Sequence, residues 1–518
     1  MPPWPMRRRR VPALSVASAL DYAWCIPSMD RLCMSRDASY AILRQPARPA
    51  AIAPFLGQLG IALAALTAVP ALVALVSGER IMLLRYALII AGLGLVCVPL
   101  SLRPRVGRLQ ANEGLVITAL VFIAPPFLLA WPLMAAGLDY GAALFEAVSG
   151  ITTTGLSTLA SVEQRPPAFL FSRAWLQWIG GLGIAALVPL WLEPGPVARR
   201  LAGLEQMAVE SHSPAREFAA QILSVYVAVT GIAFALLWLV TGDAFVALLH
   251  ALAAISTGGF SSYDNSLAAL GPAAQLATIA VSTLGAVPLL VFLRGARGSL
   301  GGALGDPQLR LLLASGALVA LGCTALLVAH SGLAWPAALR HGLVLAFSAQ
   351  STAGFSSLDI GMLSDTTKLL LIFAMITGGG IGSTAGGIKL LRVLVFLRTV
   401  QFMLRRTRLP AHAWARPRLG GQELDEHLVN NSLALFLLFT VSIMLSWLVF
   451  VAAGYPPLDS LFEVVSALAT VGLSSGLTAS GLPGPLQVVL GVDMLLGRLE
   501  IVAVLVLLGP MTWWPRAD

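Results

Sequence analysis

Charge is what this sequence has least of. Only 11% of its 518 residues are Asp, Glu, Lys or Arg, against roughly a quarter in soluble domains, so most of the chain cannot present a water-facing surface. Cysteine is sparse as well. Cys25, Cys33, Cys97 and Cys323 are scattered, two of them inside apolar runs, which leaves neither a disulfide framework nor a CxxC metal site. Catalytic patterns are missing too: there is no HExxH, GxSxG or Walker A run and no dense His/Asp cluster, and the carboxylates fall mostly in loops. Those gaps argue against a membrane enzyme. The formal charge of +8 does not point to nucleic acid, because the basic residues are mostly Arg in short loops between apolar runs, where they first of all set topology.

What the chain has instead is apolar length. It is 57% hydrophobic with a mean hydropathy of +0.83, which places it among polytopic membrane proteins. Residues 1–50 carry Arg7 to Arg10 without an unbroken apolar core behind them, so they read as a disordered cytoplasmic tail and not as a signal peptide. Translation starting at Met29 or Met34 would remove much of that tail. Residues 51–110 hold two runs, 53–77 and 86–102, that form an extra transmembrane pair. Four repeats follow at 111–200, 201–300, 301–426 and 427–518, each reading span, short segment, span. The full spans, 114–138 and 168–192, 218–241 and 271–293, 309–329 and 368–400, 433–454 and 483–510, meet the ~20 residues a crossing helix requires. The segments between them are too short to cross and must enter and return on one side.

Charge supports that layout. With ten crossings, residues 1–50, 103–113, 193–217, 294–310, 392–427 and the C-terminus share one side and hold 25 of the 33 Lys+Arg, leaving six opposite and two within spans. The positive-inside rule makes that side cytoplasmic, with both termini inside.

At the end of each short segment the same Thr-x-Gly-apolar-Ser pattern recurs: Thr153-Thr154-Gly155, Thr257-Gly258-Gly259, Thr352-Ala353-Gly354 and Thr470-Val471-Gly472, with starts 104, 95 and 118 residues apart. A single copy is weak, since Gly, Ser and Thr are common where membrane helices pack closely. Four in register predict loops whose inward-aimed carbonyls replace the hydration shell of a cation on one axis. The expected fold is therefore an all-α integral membrane protein: four span–pore-helix–span repeats with pseudo-fourfold symmetry around one pore, plus two extra N-terminal transmembrane helices.

Other residues stand out against this frame. Glu146 and Glu463 lie seven positions before Thr153 and Thr470, with His250 and Leu345 in the matching places. Placed at pore-helix starts, they are read as dipole partners first and as a weak cation-attracting vestibule second. The last span of the third repeat is interrupted by Gly378, Gly379, Gly380, Gly382, Ser383, Thr384, Gly386 and Gly387, too much glycine for a helix interior. Its GxGxxA match is not a dinucleotide site, because it lies inside an apolar span without the acidic residue about 20 positions on. A buried break of this kind beneath a filter would form a movable plug; close packing through Gly is the plainer reading. Lys389 and Arg498 are the cations within spans, and each must face a partner or water. For Arg498 an anchor to loop carbonyls is one such role. Trp175, Trp178, Trp513 and Trp514 are expected at interfaces or in packing, and the basic stretch 405–418 suits an acidic cytoplasmic partner or anionic lipid.

Several stretches together, Leu144-Phe145-Glu146-Ala147-Val148-Ser149-Gly150, Leu176-Gln177-Trp178-Ile179-Gly180-Gly181-Leu182-Gly183, Ser256-Thr257-Gly258-Gly259-Phe260-Ser261, Gly382-Ser383-Thr384-Ala385-Gly386-Gly387-Ile388-Lys389 and Leu496-Gly497-Arg498-Leu499-Glu500, resemble the Trk/Ktr/HKT superfamily of potassium transporters. The resemblance covers about residues 53–514 and is strongest to the Trk-type membrane subunit, because of the extra span pair. It implies potassium uptake across the cell (inner) membrane through a gated, channel-like pore, the alternative being a sodium- or proton-coupled symporter on the same scaffold. It further implies a gating loop ending at Lys389, Arg498 facing the cavity, and Gly155, where a Ser would accompany sodium permeation, favouring potassium. The implied partners are a second copy of the chain, a cytoplasmic nucleotide-binding (NAD or ATP/ADP) regulatory subunit and the lipid bilayer. No nucleic acid is implied, and no cofactor beyond the transported K+ ion.

Overall fold

The computed structural model describes residues 46–514 apart from 105, 106, 108, 185–214, 297–299, 409, 411–417, 420, 421 and 425. Most of the expected tail, 1–45, and most of the basic stretch at 405–418 lie outside the described residues. Two helices, Pro49–Val76 and Arg80–Ser101, pack against each other and then against the first repeat. Tyr86 Oη donates to Ser172 Oγ at 2.8 Å, Ala168 N to Glu79 Oε1 at 2.8 Å, and Trp175 Nε1 to Leu66 O at 2.9 Å.

Each repeat contains a leading helix, a short helix, a loop and a trailing helix. In the first these are Ala111–Leu133, Tyr140–Ile151 and Pro167–Leu182; in the second Ala215–Thr241, Ala244–Ile255 and Pro272–Gly285. The third has Pro307–Ser331, Trp335–Gln350 and Asp365–Thr377, and the fourth Glu426–Ala452, Pro457–Leu468 and Gly484–Arg498. Local chemistry sets many of these starts. Asp139, Asp243 and Asp306 cap helix N-termini with their carboxylates, and Pro167, Pro272 and Pro457 occupy first positions that need no N–H donor.

Among the described residues six helices are long and apolar enough to cross a membrane, and a bent pair makes a seventh. The shortfall from ten lies in the trailing helices, of which those in repeats 2, 3 and 4 are interrupted. The sequence predicts a break in the third repeat, and there the helix opens after Thr377 and resumes at Leu390–Arg406. The structure adds two more. In the second repeat Pro272–Gly285 meets the next helix at 92°, because Pro288 has no N–H to donate and pushes Val287 out of the helical region. In the fourth, Glu500 and Ile501 take φ of 54° and 63° before Val502–Leu508 begins. The continuous spans expected at 271–293 and 483–510 are thus broken helices. The helix expected at 168–192 is described only to residue 184.

Two large apolar cores and two smaller clusters are present among the described residues. One large core joins the extra pair to repeats 1 and 2, the other belongs largely to repeats 3 and 4, and the four loops lie where they meet.

Candidate functional site

Each short helix ends in the same backbone motif. The N–H of Thr153, Thr257, Thr352 and Thr470 bonds a carbonyl three residues back. The following N–H reaches five back: Thr154 to Ser149 O, Gly258 to Ala253 O, Ala353 to Ser348 O and Val471 to Ser466 O, at 2.8–2.9 Å. This is a Schellman-type end, whose left-handed position normally belongs to Gly. Here a β-branched Thr fills it four times, with φ of 56°, 53°, 55° and 50°, each at a cost of about 1–2 kcal/mol.

Two residues on, Gly155, Gly259, Gly354 and Gly472 have φ of 94°, 77°, 72° and 92°. Here glycine is required twice over, by dihedral and by space. A Cβ on Gly155 would overlap Gly258 O; on Gly259, Ala353 O; on Gly354, Val471 O; and on Gly472, Thr154 O. The loops therefore touch in the cyclic order 1, 2, 3, 4 and back to 1. All four Thr are fully buried.

The contact from short helix to trailing helix also recurs. Thirteen positions after the first residue of each trailing helix stands Gly180, Gly285, Gly378 or Gly497, the third of these just past the end of its helix. A Cβ at the first, second or fourth would collide with the last carbonyl of its short helix, Ile151, Ile255 or Leu468. In the third repeat the same juncture is a hydrogen bond, Gln350 Nε2 to Gly378 O at 2.7 Å.

Glu146 and Glu463 require correction. They lie in the middle of their helices, fully buried, so neither the dipole role nor the vestibule role applies. Both brace the loop. Glu146 accepts from Ser157 Oγ at 2.6 Å and from Arg173 Nε at 2.8 Å. Glu463 accepts from Ser474 Oγ, Ser475 N and Oγ, and Thr478 Oγ1 at 2.6–3.1 Å. His250 reaches Ser261 Oγ at 3.2 Å, while Leu345 is apolar core. The serines of the Thr-x-Gly-apolar-Ser pattern in repeats 1, 2 and 4 are the receiving ends of these braces.

The glycine segment 378–389 lies against three of the four Thr. Gly386 N donates to Thr352 Oγ1 at 2.7 Å, Thr384 Oγ1 lies 3.4 Å from Thr257 Oγ1, and a Cβ on Gly386 would strike Thr470 Oγ1. Thr384 Oγ1 also bonds Ile255 O and Gly285 O, and Gly387 N donates to Ala469 O at 3.0 Å. Lys389 Nζ donates to Ala385 O within the segment. Arg498 adopts the anchoring alternative: Nη1 donates to Thr384 O at 2.7 Å and Nη2 to Gly180 O at 2.8 Å. It therefore ties the segment to repeat 1. The hydroxyls of Thr153 and Thr470 have no hydrogen-bond partner among the described residues.

Sequence reasoning missed several participants, all joined over long separations. Gln177 bonds both Gly258 O and Phe260 N across 81 and 83 residues. Arg173 stacks 3.8 Å over Phe260. Glu500 pairs with Arg392 at 2.5 Å, not with its sequence neighbour Arg498. Asp493 is buried in the last trailing helix and accepts from Ser446 Oγ at 2.7 Å. Trp175 and Trp178 stack at 4.9 Å and bond Leu66 O and Thr230 Oγ1, so they are packing residues.

Known proteins share this plan. Residues 94–295 and 323–512 match the TrkH family, described as cation transport proteins. An uncharacterized cation transporter of Methanocaldococcus jannaschii is 30% identical over 404 residues, 77% of this chain and 83% of that one. The Trk system potassium uptake protein TrkI of Halomonas elongata is 30% identical over 490 residues, 90% and 97% of the two chains. The crystal structure of the potassium transporter TrkH from Vibrio parahaemolyticus aligns with a TM-score of 0.79 and 26% identity, covering 90% of this chain and 99% of the other.

Proposed function

The chain belongs to the TrkH family of cation transport proteins, a family of transporters and not enzymes, and from that premise we propose that it carries potassium into the cell through a single pore formed by its four repeats. The reading rests on one observation above all: four loops with one backbone conformation touch in closed cyclic order, each bearing a strained Thr. A bare cation in a dry interior would cost tens of kcal/mol. Backbone oxygens of Thr153, Thr154, Thr257, Gly258, Thr352, Ala353, Thr470 and Val471, with the Thr hydroxyls, offset that cost by standing in for water. The cage is held open by Gly155, Gly259, Gly354 and Gly472 and stiffened by Glu146, Glu463, Arg173 and Gln177.

Segment 378–389 is the gate. It closes the ring from the side of the trailing-helix breaks, and Arg498 latches it through Thr384 O. Opening requires the Arg498, Thr384 and Gly386 hydrogen bonds to exchange together. No chemical step is needed, since each entering charge gains about 2.3 kcal/mol per 100 mV of inside-negative potential. By the positive-inside distribution the termini and the basic stretch 405–418 face the cytoplasm of a cell (inner) membrane. There the basic stretch offers a docking place for a nucleotide-binding regulatory subunit, and the working unit is a homodimer.

The test is rubidium flux into liposomes containing the purified chain, alone and with its regulatory subunit. Flux is expected to persist without sodium or proton gradients, and Gly155→Ser is expected to lower potassium preference over sodium. An unchanged permeability ratio in Gly155→Ser would remove the filter assignment. Strict dependence on either gradient would replace the channel-like reading with symport.

A further inference from the structure

Between the extra helix pair and the first repeat lies a cavity of about 260 Å³. Every residue of its wall is Gly, Ala, Pro, Val, Leu, Ile or Phe. Its outer rim includes Ala124 and Leu128, which are solvent-accessible, Leu128 by 42%. Its inner end is formed by Ile151 and Gly180, the last residue of the first short helix and the helix turn packed on it. The cavity therefore runs from the outer face of the helices inward to the base of loop 1. An apolar cavity holds water poorly, because water needs two to four polar partners, and one of only ~150 Å³ already takes up benzene. The helices supplying most of the wall, Pro49–Val76, Arg80–Ser101 and Ala111–Leu133, are all of membrane-crossing length and hydropathy, so the medium at the rim is hydrocarbon.

We propose that this cavity is a binding site for one acyl chain of a bilayer lipid, entering past Leu128 and ending against Ile151 and Gly180. A hydrocarbon tail matches the wall chemistry at every point and needs no polar partner. It also meets the back of the helix turn whose carbonyl receives Arg498 Nη2. The inference rests on the membrane-spanning helices and not on the proposed potassium pathway.

It is tested by reconstituting the full chain in nanodiscs of phosphatidylcholine with a diazirine midway along one tail, irradiating, and mapping adducts by mass spectrometry. Adducts within 56–66 and 120–128 are expected to exceed, several-fold, those on the openly exposed face at Ile232 and Leu239. Leu63→Trp, which fills the cavity, is expected to abolish the excess while leaving the Ile232 and Leu239 adducts unchanged. Should Leu63→Trp not fold, Ala62→Phe makes the same comparison. Equal labelling of wall and open face, or a wall excess untouched by filling, would overturn the proposal.

Discussion

Loops 1 and 4 are supported differently from loops 2 and 3. In the first pair a carboxylate in the middle of the short helix gathers the loop hydroxyls, a Ser hydroxyl at 149 or 466 accepts from the Gly155 or Gly472 N–H at 3.0 Å, and the Thr hydroxyl has no partner among the described residues. In the second pair, apart from the contact of His250 with Ser261 Oγ, the support comes from outside. Gln177 reaches in from repeat 1 to hold loop 2, Ser266 Oγ accepts from Ser356 N at 3.1 Å in loop 3, and the Thr hydroxyls meet the glycine segment. Yet the four backbones agree to within 6° in φ at Thr. The turn is what the repeats share; its bracing is replaceable. The glycine segment is correspondingly tied by hydroxyl contacts to one half of the ring.

The sharpest way to break this comparison is to change the shared turn. Gly259→Ala places a methyl on Ala353 O and is expected to abolish rubidium flux in liposomes. Gly476→Ala, also left-handed at φ 99° but facing open space, is expected to retain most of it. Equal loss in both would mean that dihedral strain, and not contact between loops, fixes the ring.

Next come the braces. Glu146→Gln leaves Arg173 buried without its counter-charge, at about 3–5 kcal/mol. Glu463→Gln disturbs neutral hydroxyl donors, at about 1–3 kcal/mol. Thermal unfolding in detergent should rank them in that order, with His250→Ala milder than either. A His250→Ala cost equal to that of Glu146→Gln would erase the distinction between the two pairs.

A smaller effect is expected at the segment itself. Thr384→Val removes the hydroxyl shared by Ile255 O and Gly285 O, worth about 0.5–1.5 kcal/mol. Resting rubidium leak should then rise by up to about tenfold, since each 1.4 kcal/mol is a factor of ten.

The smallest concerns the link between loops 1 and 2. Burial pushes the Asp264 carboxyl up, but hydrogen bonds from Val162 N, Ser161 Oγ and Glu163 N, with the charge of Arg173, outweigh it and leave the group below its ordinary value. The unfolded chain thus binds this proton more readily. The stabilisation is complete above about pH 4, the ordinary Asp value, and is lost as pH falls through the lowered one. Asp264→Asn should flatten that acid limb of a melting-temperature profile, and an unaltered limb would locate the titration elsewhere.

Much of this architecture was readable because it is local and repeated. Hydropathy marks the leading helices and the extra pair, and the recurring Thr-x-Gly marks the loops that meet. The glycine break after Thr377 is equally plain in composition. What escaped is what depends on distant partners. Nothing around Leu499-Glu500-Ile501 signals an interruption, and the partner of Glu500 there, Arg392, lies 108 residues away. The carboxylates at 146 and 463 look like helix-start residues until the starts are fixed by Asp139 and by Pro457. Gln177 shows no periodic signal at all, and only the folded contact with Gly258 gives it a role.

The closed order of the loops has a consequence for how such a protein can change. In a ring of four identical subunits, one codon alters every wall at once. Here each quarter has its own codons, so a substitution touches a single wall and the other three remain as they were. The different residues at 146, 250, 345 and 463, one carboxylate, one imidazole, one aliphatic chain and another carboxylate, are what independent quarters permit.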